Sequence, residues 1–154
     1  MSFSVMPIPD EISSAARTTL MSPQYKGLSA DVRLATGYGP CRSCLKVFRQ
    51  GEERRVYITY DPFDGLSELP DPGPIFIHES ECEPFRYGGF PHDLLDLPLL
   101  LEAFGDDSTL ISRLPMDRDR VGSQIDEIFA DQDVRFVNLR NREAGCFVAR
   151  IDRA

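Results

Sequence analysis

Val134-Arg135-Phe136-Val137-Asn138-Leu139, the loop Asn141-Arg142-Glu143-Ala144-Gly145, and Cys146-Phe147-Val148-Ala149-Arg150-Ile151 decide the fold class. The two flanks are rich in β-branched and aromatic residues, and the loop between them carries the Asn and Gly that a hairpin return needs. The stretch therefore reads as a C-terminal strand pair. Just upstream the period changes: Val121, Ile125, Ile128 and Phe129 recur on one helical face, with acidic residues early in the segment where the helix dipole favours them.

Further outward, Leu97 to Phe104, then Gly105-Asp106-Asp107-Ser108, then Leu110 and Ile111 read as a second hairpin. Val32 and Leu34 alternate with polar neighbours, as do Val56, Ile58 and Tyr60 within Arg55 to Tyr60. These are strands, and Asp61-Pro62-Phe63-Asp64-Gly65 is a turn after the second of them. A Pro-rich connection from Pro70 to Pro74 leads into the strand Ile75-Phe76-Ile77-His78, which puts His78 on one face with Phe76. Asp10 to Met21 places Ile12, Ala15, Ala16 and Leu20 at helical spacing behind Pro9, and Ser22 with Pro23 ends that helix. Strands outnumber helices and do not alternate with them. The expectation is an α+β fold, a mostly antiparallel sheet with two or three helices, in a single domain over residues 1–154. Residues 1–30 would be an N-terminal helix and connection, and residues 31–154 a sheet-rich body.

A chain of 154 residues buries a core without obligatory metals or disulfides. Its formal charge of −8 opposes a sequence-independent hold on phosphate backbones, so nucleic acid is not an expected partner. The basic run Arg113 to Arg120 is interrupted by Asp117 and Asp119 and reads as a self-compensating surface. Met1-Ser2-Phe3-Ser4-Val5-Met6-Pro7 has neither a basic stretch nor a long apolar run, and no window approaches a membrane span. Four cysteines are too few for a secreted disulfide scaffold, which together with the missing export signal gives a cytoplasmic expectation and no membrane partner.

The chemistry concentrates in Gly39-Pro40-Cys41-Arg42-Ser43-Cys44 and His78-Glu79-Ser80-Glu81-Cys82. A CxxC pair can aim two sulfurs at one metal, and an HxxxC pair at a strand end can supply two more ligands, so Cys41, Cys44, His78 and Cys82 form a candidate zinc set. The competing reading is three reduced, partly buried thiols packed as small hydrophobes beside a satisfied sheet histidine. Cys146, alternating with Val148, reads as core.

Other chemistries stay open as alternatives. Arg42 and Lys46 could lower a thiol pKa for redox work, although Gly51 and a β-patterned run follow where a thioredoxin-type site would start a long helix. A cysteine nucleophile with His78, or more weakly His92, as base would make an enzyme, with no catalytic residue fixed by sequence alone. Gly88-Gly89 reads as a turn without the features of a phosphate cradle, and Asp61 with Asp64 as turn caps; no organic cofactor site is expected. A small-ligand or protein interaction module would show an apolar patch around Tyr87, Phe90 and Leu94. A homo-oligomer through the edge of the C-terminal hairpin also stays open.

Pro40-Cys41-Arg42-Ser43-Cys44-Leu45, Gly51-Glu52, Tyr60-Asp61-Pro62-Phe63, Gly73-Pro74-Ile75-Phe76-Ile77-His78 with Cys82, Asn138-Leu139-Arg140-Asn141 and Gly145-Cys146-Phe147 together resemble the bacterial domain-of-unknown-function family DUF1203. The resemblance runs from about Asp31 onward. It implies a bacterial protein with no assigned activity, and it supplies neither a catalytic residue nor a metal.

Overall fold

The computed structural model describes residues 3–37, 39–63, 73–86 and 88–154. Asp64 and Tyr87, together with much of the expected Pro-rich connection, lie outside them. The strands are β1 (Phe3–Met6), β2 (Asp31–Leu34), β3 (Arg54–Tyr60), β4 (Gly73–His78), β5 (Leu99–Phe104), β6 (Leu110–Pro115), β7 (Phe136–Asn141) and β8 (Phe147–Arg153). The helices are α1 (Asp10–Thr19) and α2 (Val121–Phe129), with short 3-10 turns at His92–Leu94, Asp106–Ser108 and Arg118–Arg120. The strands form two antiparallel sheets, one of five in the order β1-β8-β7-β5-β6 and one of three in the order β2-β3-β4. The fold class is therefore α+β, as expected, but with two sheets in place of one. Among the described residues no helix is long and apolar enough to cross a membrane.

Both expected hairpins form. In the β7–β8 return Gly145 takes a φ of +79°, a left-handed conformation that an L side chain rarely adopts. At the β5–β6 turn a Cβ on Gly105 would stand 2.9 Å from Ile111 Cδ1 and 3.2 Å from the Asp133 carbonyl oxygen, so a side chain there would make the Ile111 tip move aside and the Asp133 backbone shift by a few tenths of an ångström. Register then sorts the faces. Leu101 opposite Leu139, Ala103 opposite Val137 and Val137 opposite Ile151 put one apolar face against Val121, Ile125 and Phe129 of α2. The opposite face carries Phe104 stacked on Phe136 at 5.3 Å, and Phe63, just beyond β3, meets Phe104 edge-on at 5.1 Å. That aromatic trio and the Tyr60–Phe147 contact fasten the small sheet to the large one.

Three expectations need correction. No acidic residue lies in the first turn of α2; Asp117 sits upstream and caps the preceding 3-10 turn by accepting from the Asp119 amide. Phe3–Met6, which has only two alternations to show, is a strand rather than part of a lead-in to the helix, because β8 offers it a partner. That pairing covers β8, so the C-terminal hairpin presents no free edge.

Candidate functional site

Pro40 and Val47 face one another in an isolated antiparallel bridge, and between them the chain turns on itself. The Cys41 amide donates to the Lys46 carbonyl at 2.9 Å and the Leu45 amide to the Cys41 carbonyl at 2.8 Å. The reversal forces Leu45 to a φ of +59°, a conformation costing a non-glycine residue about 1–2 kcal/mol. Leu45 tolerates it because its side chain, 1% exposed, is locked in the larger core. The result is a compact knuckle with Cys41 and Cys44 buried at 0% and 6% exposure.

The strand β4 delivers the other half. The Arg42 amide donates to the Phe76 carbonyl at 3.0 Å, fixing the knuckle beside the strand that ends at His78. The His78 amide points at Cys41 Sγ, 3.3 Å away, and its ring Nδ1 lies 3.5 Å from Cys44 Sγ. Cys82, four residues on and half-buried, brings its sulfur to 3.8 Å from that of Cys41. All four donor atoms lie within 4.8 Å of one another. The four residues singled out by spacing thus converge into a buried Cys₃His group that could hold a metal ion.

Two residues without any motif complete it. His78 Nε2 is 2.7 Å from Glu53 Oε2, while Glu53 Oε1 accepts from the Arg49 amide at 2.7 Å. The carboxylate therefore orients the ring with Nδ1 toward the sulfurs, the arrangement that fixes the tautomer of a ligating histidine. From α1, Arg17 donates through Nε to the His78 carbonyl at 2.9 Å and through Nη2 to Cys82 Sγ at 3.2 Å. The Phe48 ring closes the other side of the imidazole at a centroid distance of 4.7 Å.

The electrostatics are those of thiols crowded around one point. Burial pushes the Cys41 thiol up, but hydrogen bonds from Cys44, Cys82 and His78 outweigh it and favour the thiolate. Hydrogen bonding to Cys41, then to Cys82, and burial hold Cys44 protonated. Hydrogen bonds to Cys41 and Cys82, against the effect of burial, raise His78 to about 10. For Glu53, burial is outweighed by the Arg49 amide and by His78, which lower its carboxyl.

Other candidates fall away from this centre. Arg42 is itself buried and spends Nε on the Phe147 carbonyl and Nη1 on the Pro40 carbonyl, its charge acts on Cys41 only electrostatically, and Lys46 is exposed; the leading groups that lower Cys41 are the hydrogen bonds from Cys44, Cys82 and His78. Residues 45–53, all described, start no helix after the CxxC. Cys146 is half-buried just ahead of β8, outside the cluster, and His92 is exposed on a 3-10 turn. The Asp61 carboxylate accepts from the Phe63 amide as a turn cap. Leu94 is fully buried and Phe90 packs against the same core, so those two offer no open apolar patch.

A family model described as protein of unknown function, DUF1203, matches residues 38–153, that is 116 of the 154 residues. The match includes all four clustered residues and Glu53 but leaves out β1 and α1, hence Arg17. No curated protein and no solved structure matches the chain.

Proposed function

This chain belongs to the DUF1203 family, whose description assigns no activity, and from the chemistry of its own side chains we propose that Cys41, Cys44, His78 and Cys82 hold a structural zinc ion. One observation carries the reading. With zinc–sulfur bonds of about 2.3 Å and zinc–nitrogen bonds of about 2.0–2.1 Å, a tetrahedron has sulfur–sulfur edges of about 3.8 Å and sulfur–nitrogen edges of about 3.5–3.6 Å. Cys41 to Cys82 is 3.8 Å and Cys44 to His78 Nδ1 is 3.5 Å. Two opposite edges are thus already at their metal-bound lengths.

Four protein ligands fill a tetrahedral zinc and leave no position for water or substrate, which favours a structural over a catalytic ion. Three thiolates leave the centre one negative charge in excess, and the Arg17 guanidinium on Cys82 offsets it. The ion ties the knuckle to the end of β4 and, through Arg17, gathers α1 onto the small sheet. A nucleophilic Cys41 is disfavoured because a sulfur at 0% residue exposure offers a substrate no approach.

Elemental analysis of protein purified without added metal, with a thiol count before and after chelation, tests the reading. One zinc per chain, with three thiols that become reactive only on chelation, is expected. Sub-stoichiometric zinc together with four freely reactive thiols would sink it.

A further inference from the structure

The three sulfurs of the cluster are not equally guarded. Cys41 and Cys44 lie inside the knuckle at 0% and 6% exposure, whereas Cys82 is half-buried in the irregular segment after β4, with Ser80, Glu81 and Glu83 exposed around it. A solvent-borne oxidant therefore meets Cys82 first. Behind it, at 3.8 Å, stands the sulfur of Cys41. The Phe85 amide donates to the Ser43 carbonyl at 2.9 Å, so the chain just past Cys82 is tied to the knuckle and keeps the two sulfurs together. No strand or helix fixes residues 80–84, so the segment can yield the shift of about 1.8 Å that separates this spacing from a sulfur–sulfur bond of about 2.05 Å. An accessible sulfur with a second one poised to resolve it is the arrangement of a redox-sensing cysteine.

We infer that Cys82 is the oxidation site of a peroxide-sensitive switch, its sulfenic acid resolved by Cys41 into a disulfide that strips the metal from the cluster. The inference rests on the structural-zinc reading of the same four residues. In the loaded cluster both sulfurs are thiolates. The Cys82 thiolate attacks one oxygen of hydrogen peroxide; the S–O bond forms, the O–O bond breaks, and hydroxide leaves with its electron pair. Cys41 then attacks the Cys82 sulfur, forming the S–S bond and displacing the second hydroxide. Two thiolates lose two electrons, the peroxide gains them, and two protons from solvent turn the hydroxides into water. The disulfide removes two of the four ligands, and Cys44 and His78 alone do not retain the ion. Reduction of the bond by a dithiol restores the site.

The test uses the full, unaltered chain, with its zinc content fixed by elemental analysis before hydrogen peroxide is added. Released zinc is followed with a chromogenic chelator, and bonds are mapped after alkylation of the remaining thiols and digestion with trypsin, which cuts after Arg42 and so separates Cys41 from Cys44. Zinc release and the Cys41–Cys82 bond should grow together, one ion per bond, with Cys44 still open to alkylation. Dimedone present during oxidation should label Cys82 and lower the yield of the bond. Cys146, half-buried but outside the cluster, is the reference thiol within the chain and should oxidise later. A loaded chain that keeps its zinc until Cys146 is oxidised would overturn the switch and leave the structural zinc standing. A Cys41–Cys44 bond in place of Cys41–Cys82, or dimedone on Cys41 or Cys44 before Cys82, would do the same. A chain that contains no zinc before peroxide is added would sink both readings.

Discussion

If Cys41, Cys44, His78 and Cys82 hold the proposed zinc, its withdrawal should cost this protein a large part of its stability, and the chain length between ligands sets the scale. Cys44 and His78 are 34 positions apart. Treated as a cross-link, the ion removes from the unfolded chain an entropy of about 2.1 + 1.5R ln n cal/mol/K, near 13 cal/mol/K here, or about 4 kcal/mol at 25 °C. In a domain of this size each kcal/mol moves the melting temperature by about 2–4 °C, so the metal-depleted chain should melt about 10 °C lower. The assay is thermal unfolding followed by circular dichroism under reducing conditions, before and after chelation, with depletion verified by elemental analysis. Cys146→Ser should leave the shift intact, because that residue is outside the cluster. A depleted chain melting within about 2 °C of the loaded one would refute the structural role, since that is less than 1 kcal/mol.

Glu53→Gln removes the carboxylate that orients His78 and should weaken metal binding about 10–100-fold in chelator competition; wild-type affinity would mean that the ring is held by its neighbours alone. In the metal-free chain the cluster gives a definite pH profile. His78, raised to about 10, adds stability below its ordinary 6.5 that fades as pH rises, while Cys41, lowered from 9.0, adds stability above 9.0 that fades as pH falls. Between pH 6.5 and 9.0 the imidazolium–thiolate pair and the unfolded imidazole–thiol pair each hold one proton, so the two slopes cancel. Urea midpoints attributable to the pair, taken as the difference from a His78→Ala chain, should therefore be flat across that window and fall below it; a steady slope through it would contradict the assignment. Ile125→Ala, at 0% exposure on α2, should cost about 2–5 kcal/mol in denaturant titration without changing metal content, and a cost below about 1 kcal/mol would contradict the packing of α2 on the sheet.

The hairpins and helices were legible because their signals are local. Asn141 to Gly145 and Gly105 to Ser108 sit between runs of the right period, and the face of α2 repeats as a helix must. The four clustered residues were legible for a different reason: cysteine and histidine at ligand spacing are chemically conspicuous wherever the chain takes them. What escaped detection was relational. Glu53 and Arg17 are ordinary surface-type residues in sequence, and Arg17 meets the cluster across 61 and 65 positions. The strand β1 has four residues and no turn signal before it; only its register with β8 makes it a strand. The division into two sheets likewise depends on which strands meet, and Leu45 gives no hint of a left-handed backbone because its side chain is one that normally avoids it.

The pairing of β1 with β8 also constrains the order in which the molecule can assemble. Phe3 lies opposite Arg153, a separation of 153 − 3 = 150 positions, yet β8 is an inner strand with neighbours on both sides. The β5–β6 and β7–β8 hairpins can close over short loops, and β5 meets β7 across 32 to 42 positions, far fewer than β1 must span. The first strand must wait, unpaired, for the last one, and its docking closes nearly the longest loop the chain contains. Because loop closure is a slow, entropy-limited event while neighbouring hairpins form in microseconds, the sheet should be completed from its β5–β6 side toward β1, with the chain's two ends zipping together as the final step.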